Sequence, residues 1–495
     1  MAFGARGSVD DPAGGSAQQG ALRARRRMTL RGRLTLALPV AIAVASIWLA
    51  GPGGAELDQA TQWLEPPAEL RLAPKEPPPI QLPWAPEELL ARLPASRPAF
   101  EKALASADWL EGPPEPGMPL WESVPAPADR GDLVSPLRIQ YSLDAALTRS
   151  VFELLARSHV DLGHVLVMDP ASGELLVYAS TDVERFPPTE TYPAASLIKV
   201  VTAAAALDGA PGAAQRGCRY DGSPYRLTRG RIDPPRRGTE VSLRKALATS
   251  NNQCFAQLAV HELGAARMLN VIRRFGFLES PAPAHAAGIA SDPGRDAYAL
   301  GQLGCGLAGC RITPLHAVRL AGTVADGMLR RPRWVTRVVD GSGRELVLPE
   351  PEPPRRVLTP TLAAQVRDMM VETTVRGTAR RAFHPRGRPL LPGIAVAGKT
   401  GSLSGKDPDG RYEWFMGVAP AERPRVAVAV VVVQGPLWHR SASQVSADVF
   451  RLLFCETRGC SPDGVERWRP QPAEPASTQA GVGAAPVDAA RDAAG

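Results

Sequence analysis

Apolar and polar positions divide the chain into unequal stretches. Residues 34–50 (LTLALPVAIAVASIWLA) form an apolar run close to the short limit for a membrane-spanning helix. Residues 51–136 are broken up by proline. From Leu137 the patterning becomes dense. Residues 143–155 have helical spacing, and 164–169 and 174–180 are apolar strands joined by the hairpin signal Pro170-Ala171-Ser172-Gly173. Residues 197–207 are apolar on nearly all sides, which predicts a buried helix. Residues 241–258, 265–275 and 361–374 read as further helices. Strands are predicted at 394–398, 413–418 and 425–433, and a closing helix at 445–454. The run VAVAVVVV is apolar on both faces and belongs at the centre of a sheet. Strands, then many helices, then strands again imply an α+β fold, with a helical lobe inserted between parts of one antiparallel sheet. The tail, 461–495, has no periodicity and is expected to be disordered.

Charge decides how the first apolar run is read. Arg23, Arg25, Arg26, Arg27, Arg31 and Arg33 precede it, which predicts a cytoplasmic basic tail over 1–33, a transmembrane anchor over 34–50 and everything later outside the inner membrane. A cleaved signal peptide is the competing reading, since Gly53-Gly54-Ala55 offers small residues to a peptidase. The net charge of +7 includes that cluster. Other arginines are scattered among acids, so no nucleic-acid partner is expected.

Residues 51–136 hold 18 of the 50 prolines and read as a linker or short pedestal, with room for one or two short helices over 86–110. Trp63, Trp84, Trp109 and Trp121 within it are expected to dock onto the neighbouring domain. The six cysteines suit an oxidising compartment. Local bridges within Cys305/Cys310 and Cys455/Cys460 fit the spacing. Cys218 and Cys254 are left over, and Cys254, in an apolar helical stretch, also reads as a buried thiol.

Three short segments carry candidate chemistry. In Ser196-Leu197-Ile198-Lys199 the hydroxyl and the amine share a helix face. A lysine among apolar neighbours has a lowered pKa and, when neutral, can take the serine proton, while the helix N-terminus favours an oxyanion. Ser250-Asn251-Asn252 sits at a turn within a helical region. Ser250 could relay a proton to a leaving amine, and the Asn252 amide offers donor and acceptor to a peptide bond. Lys399-Thr400-Gly401-Ser402 ends the strand 394–398. Its lysine and hydroxyl could clamp a carboxylate, Gly401 admits close approach, and the Ser402 N–H would be a second oxyanion donor. Each segment alone is weak, since capping serines and hairpin turns look the same. Lysine usage sharpens them: the chain has 51 arginines and only six lysines, two of them Lys199 and Lys399. Arginine cannot act as a base. The seven histidines show no pairing that suggests a Ser-His-Asp triad.

In this order, the three segments form the signature of serine β-lactamases and penicillin-binding proteins. The chain resembles the penicillin-binding transpeptidase family over about residues 137–454, and the transpeptidase domain is expected to span 137–460. Ser142-Leu143-Asp144, MDPASGELLVYAS, Arg273-Arg274-Phe275-Gly276-Phe277, Thr313-Pro314-Leu315, Gly377-Thr378-Ala379 and Trp414-Phe415-Met416-Gly417 add to the likeness. The resemblance implies an antiparallel sheet covered by helices on both faces, with the site between sheet and lobe. It implies a D,D-transpeptidase in which Ser196 is acylated by peptidoglycan stem peptides with Lys199 as base, and in which β-lactams acylate the same serine. Ser250, Asn252 and Lys399 would complete the catalytic set, with Thr400, Gly401 and Ser402 binding substrate. No metal or cofactor is implied; partners in a cell-wall synthesis complex are. The sequence departs from the family at Ser402, where transpeptidases commonly have threonine, which leaves a carboxypeptidase or β-lactamase as alternatives, alongside a non-catalytic sensor or scaffold. Residues 51–136 leave no room for a glycosyltransferase domain.

Overall fold

The computed structural model describes residues 79–110, 112–434 and 439–469. The expected basic tail and anchor over 1–50 lie outside the described residues, as does most of 461–495.

Along the chain come helices α1 (Pro86–Ala91) and α2 (Arg97–Ser106), strands β1 (Pro119–Val124) and β2 (Leu137–Asp144), and helix α3 (Ala145–Arg157). The hairpin β3 (Leu162–Met168) and β4 (Leu175–Ser180) leads to α4 (Ile198–Gly209). The lobe then holds β5 (Cys218–Tyr220), β6 (Thr239–Val241), α5 (Leu243–Ala248), α6 (Asn252–Gln257), α7 (Gly264–Arg274) and α8 (Ala297–Cys305), and α9 (Pro314–Asp326) returns to the main sheet. After β7 (Val335–Val339) and α10 (Pro360–Val375) come β8 (Ala397–Gly405), β9 (Gly410–Ala419), β10 (Val426–Gln434) and α11 (Ala442–Phe454).

The main sheet has the order β8-β9-β10-β3-β4, antiparallel throughout. β10 is its middle strand, and every residue from Val426 to Val433 is buried. A strand of β-branched residues covered on both faces needs this place, since each valine removed from water contributes about 1.5–3 kcal/mol. The two faces can be told apart on β9. Phe415 meets Phe450 of α11 on one face, and the adjacent Trp414 donates its indole N–H to the Pro193 carbonyl on the other (2.9 Å). Helices α9 and α10 cover the second face together with the turn that carries Ser196, and α11 and α3 the first. The α+β fold with an inserted helical lobe therefore stands as expected.

Several local expectations change. The strand expected to end at Gly398 begins at Ala397 and runs on to Gly405, so Lys399-Thr400-Gly401-Ser402 lies inside β8. Its polar residues had suggested a turn, but β8 is an edge strand paired only with β9 and can carry them. Ser142-Leu143-Asp144 finishes strand β2, and the Asp144 carboxylate caps α3 by accepting from the Leu147 N–H (2.6 Å). The short helices expected over 86–110 are α1 and α2, whereas β1, within the stretch read as linker, pairs along β2. Residues 461–469 are ordered by burial of Val465 and Trp468. Cys455 and Cys460 are bridged. Cys218 is bridged to Cys254, so Cys254 is not a free thiol, and Cys305 and Cys310 stay reduced and buried.

Candidate active site

Ser196 lies in a single 3₁₀ turn, Ala195–Leu197, which runs directly into α4. Ala195 has a positive φ of 47°, a strained conformation for a residue with a side chain. The surroundings hold it there: the Ala194 N–H donates to the Cys310 carbonyl (3.0 Å), and Gly306 packs so closely on the Ala195 carbonyl that a Cβ would come within 2.0 Å of it. From the opposite side β8 approaches at Gly401, where a Cβ would lie 3.4 Å from the Ser196 nitrogen. A side chain here would press on Ala195 and Trp414 at 3.3 Å each, so the glycine keeps this approach unobstructed.

One turn into α4, Lys199 is fully buried and its ammonium reaches three oxygens at 2.7 Å each: Ser196 Oγ, Asn252 Oδ1 and the Cys305 carbonyl. These occupy all three of its N–H donors. Burial pushes the Lys199 pKa down to about 8, and the nearby Cys305 thiol opposes that shift weakly. Once neutral, the amine offers its lone pair, and the Ser196 contact reverses so that the hydroxyl donates.

Lys399, on β8, is also fully buried. It donates to Ser250 Oγ (3.0 Å) and to the Thr400 carbonyl (2.7 Å). Burial, and then the charge of Lys199, hold its pKa well below the usual lysine value. Ser250 occupies the break between α5 and α6 with a φ of 56°, and Asn251 restarts the helix as its cap, its side chain accepting from the Cys254 N–H (3.1 Å). Asn252 is thereby turned into the cleft, its Nδ2 donating to the Tyr225 carbonyl (2.7 Å). On β8, the Thr400 hydroxyl shares a 2.6 Å hydrogen bond with Thr378, and Ser402 Oγ accepts from Arg411 Nε (2.6 Å).

All eight residues singled out in the sequence therefore converge. Ser196, Lys199 and Asn252 form one connected group, Ser250 and Lys399 a second, and Gly401 joins β8 to the serine turn between Thr400 and Ser402. Sequence reasoning missed the Cys305 and Tyr225 carbonyls, which as backbone atoms leave no residue signal, and the polar contacts of Thr378 and Arg411. Thr378 lay within a flagged triplet, Gly377-Thr378-Ala379, but without a role. Histidines serve elsewhere: His164 stacks on Phe186, and His316 completes the capping box of α9. Burial lowers the pKa of each to about 3, so both are neutral.

A hydroxyl beside a deprotonatable buried amine, on a turn held by the strained Ala195, with a second amine–hydroxyl pair in the same cleft, has the makings of a serine acyl-transfer centre. Residues 163–454 match the family model for the penicillin-binding protein transpeptidase domain, and the chain belongs to that family. It is 32% identical over 259 residues to the peptidoglycan D,D-transpeptidase PbpA of Mycolicibacterium smegmatis, covering 50% of this chain and 51% of that protein. To the peptidoglycan D,D-transpeptidase FtsI of Escherichia coli it is 24% identical over 365 residues, 66% of this chain and 57% of that one. The chain thus spans about half the length of these curated relatives. Among solved structures, penicillin-binding protein PBPA from Mycobacterium tuberculosis shares the fold, with a TM-score of 0.54 and 24% identity over 64% of this chain and 82% of that one.

Proposed function

We propose that the protein is a D,D-transpeptidase that cross-links peptidoglycan stem peptides through an acyl-enzyme on Ser196. The observation that carries this reading is the buried Lys199 amine 2.7 Å from Ser196 Oγ, with its pKa lowered toward the working range. Neutral Lys199 takes the serine proton as Oγ attacks the carbonyl between two terminal D-alanines. The Ser196 and Ser402 N–H groups hold the resulting oxyanion. As the C–N bond breaks, D-alanine leaves with a proton passed through Ser250, with Lys399 behind it. Asn252 orients the peptide, and Thr400 with Ser402 holds the terminal carboxylate. An amine of a second strand then attacks the ester, releasing the cross-linked product and free Ser196. β-Lactams acylate the same hydroxyl. Residues 34–50 anchor the chain as a single pass in the inner membrane, with 137–460 as the catalytic domain on the outer side, where the substrate lies and synthesis partners would be met.

The test is incubation with labelled penicillin and, separately, with a cross-linkable stem peptide, followed by mass analysis. A long-lived adduct on Ser196 and a dimeric peptide product are expected. Rapid turnover of penicillin, or release of D-alanine with water as sole acceptor, would move the assignment to a β-lactamase or a carboxypeptidase.

A further inference from the structure

The wall of the cleft behind Asn252 is a separate strap. It runs from Cys218 through β5 to Tyr225 and is laid along α6 by side chains of that helix. Cys254 is bridged to Cys218 at the strap's start. Gln257 donates to the Arg219 carbonyl (3.0 Å). Gln253, 1% exposed, donates through Nε2 to both the Asp221 and the Ser223 carbonyls (2.8 Å each). The strap then meets Asn252 twice, the Pro224 carbonyl accepting from its N–H (2.8 Å) and the Tyr225 carbonyl from its Nδ2 (2.7 Å).

A primary amide has one donor end and one acceptor end. With Nδ2 tied to Tyr225, Oδ1 is left facing Lys199, which donates to it at 2.7 Å. A strap displaced from α6 frees the amide to rotate and present its N–H₂ group to the lysine, removing an acceptor from the ammonium. We propose that Gln253 is a positioning residue for acylation, acting through the strap to fix the Asn252 amide and hence the Lys199 amine, with the Cys218–Cys254 bridge holding the same strap. This rests on the reading of Ser196 as the acylated residue. Gln253 touches neither Ser196 nor Lys199, and its effect runs through Asn252.

The experiment measures the second-order rate constant for acylation by a fluorescent penicillin across pH, with thermal melting alongside, for the wild type, Gln253→Ala, Gln253→Met and Gln257→Ala. The last removes a strap bond one turn farther from Asn252 and serves as the control. Gln253→Ala should acylate about tenfold more slowly. Its acid limb should lie lower by about half a pH unit, because an ammonium that loses an acceptor gives up its proton more readily. The other titratable groups near Lys199, the Cys305 thiol and the Lys399 amine, are untouched by the change. Gln253→Met keeps the length and neutrality of the side chain but loses both donors and the oxygen that accepts from the Asp221 N–H, and it should behave alike, which covers the case of an alanine variant that does not fold. Gln257→Ala should stay within about twofold of wild type. If the Gln253 variants match Gln257→Ala in rate and pH profile, the inference is overturned. A wild-type chain that forms no Ser196 adduct overturns the proposed function as well.

Discussion

The cleft and the outer surface use positive charge in opposite ways. On the described surface every ion pair is made by arginine, apart from His261–Asp233. These cations are mostly well hydrated and keep their protons. In the cleft stand two lysines with no exposure and, among the described residues, no carboxylate within ion-pair distance; their partners are neutral oxygens. A buried ammonium without a counter-ion is costly, and the cost is relieved by releasing the proton. Arginine cannot take that route. Surface charge in this protein can therefore be written with either basic residue, whereas the cleft requires the one that titrates.

Exchanging the two residues tests this contrast most severely. Lys199→Arg keeps a cation but abolishes the base, and should reduce penicillin acylation by about 10⁴-fold or more, close to the loss in Ser196→Ala. Circular dichroism should show both variants folded. Acylation of Lys199→Arg at a tenth of the wild-type rate would mean that basicity at this position is irrelevant. Lys399→Gln should be milder, lowering the rate by about 10²–10³-fold, since it removes the titratable amine behind Ser250 and leaves Ser196 and Lys199 paired.

The pH dependence sharpens the same contrast. In the proposed mechanism acylation needs Lys199 neutral, so its rate should rise with pH along an acid limb centred near 8, where burial has brought the group. Below that midpoint the amine is protonated and the rate should fall about tenfold for each pH unit. A rate flat between pH 6 and 9 would remove Lys199 from the role of base.

The cleft was legible in the sequence to the extent that its chemistry is local. Ser196 and Lys199 are one helical turn apart, Ser250 and Asn252 flank a cap, and Lys399 to Ser402 are consecutive, so spacing alone brings each set together. The central strand was legible from its unbroken valines. The run of β8 past Gly398 was not, because an edge strand beside a polar cleft carries lysine, threonine and serine where periodicity expects a turn. Nor was the Cys218–Cys254 bridge, which joins residues 36 apart through a packing that only the folded lobe supplies. Proximity in sequence pointed instead to Cys305 and Cys310, which stay unbridged, each on its own element beside the serine turn, Cys305 closing α8.

The smallest expected effect lies on the surface side of the comparison. Arg157 and Glu153 form an (i, i+4) pair on α3 at 3.4 Å, with side chains 65% and 50% exposed. Such a pair contributes about 0.3–0.5 kcal/mol, and lysine supplies the same charge on a stem of similar reach. Arg157→Lys should therefore shift the melting temperature by less than about 2 °C and leave acylation unchanged. Lys199→Arg is the same exchange in reverse at a fully buried position, where it should remove the reaction. A Tm loss of several degrees in Arg157→Lys would show that the arginine fork matters on this surface beyond its charge, and the division between a permissive exterior and an exacting cleft would then fail at its exterior end.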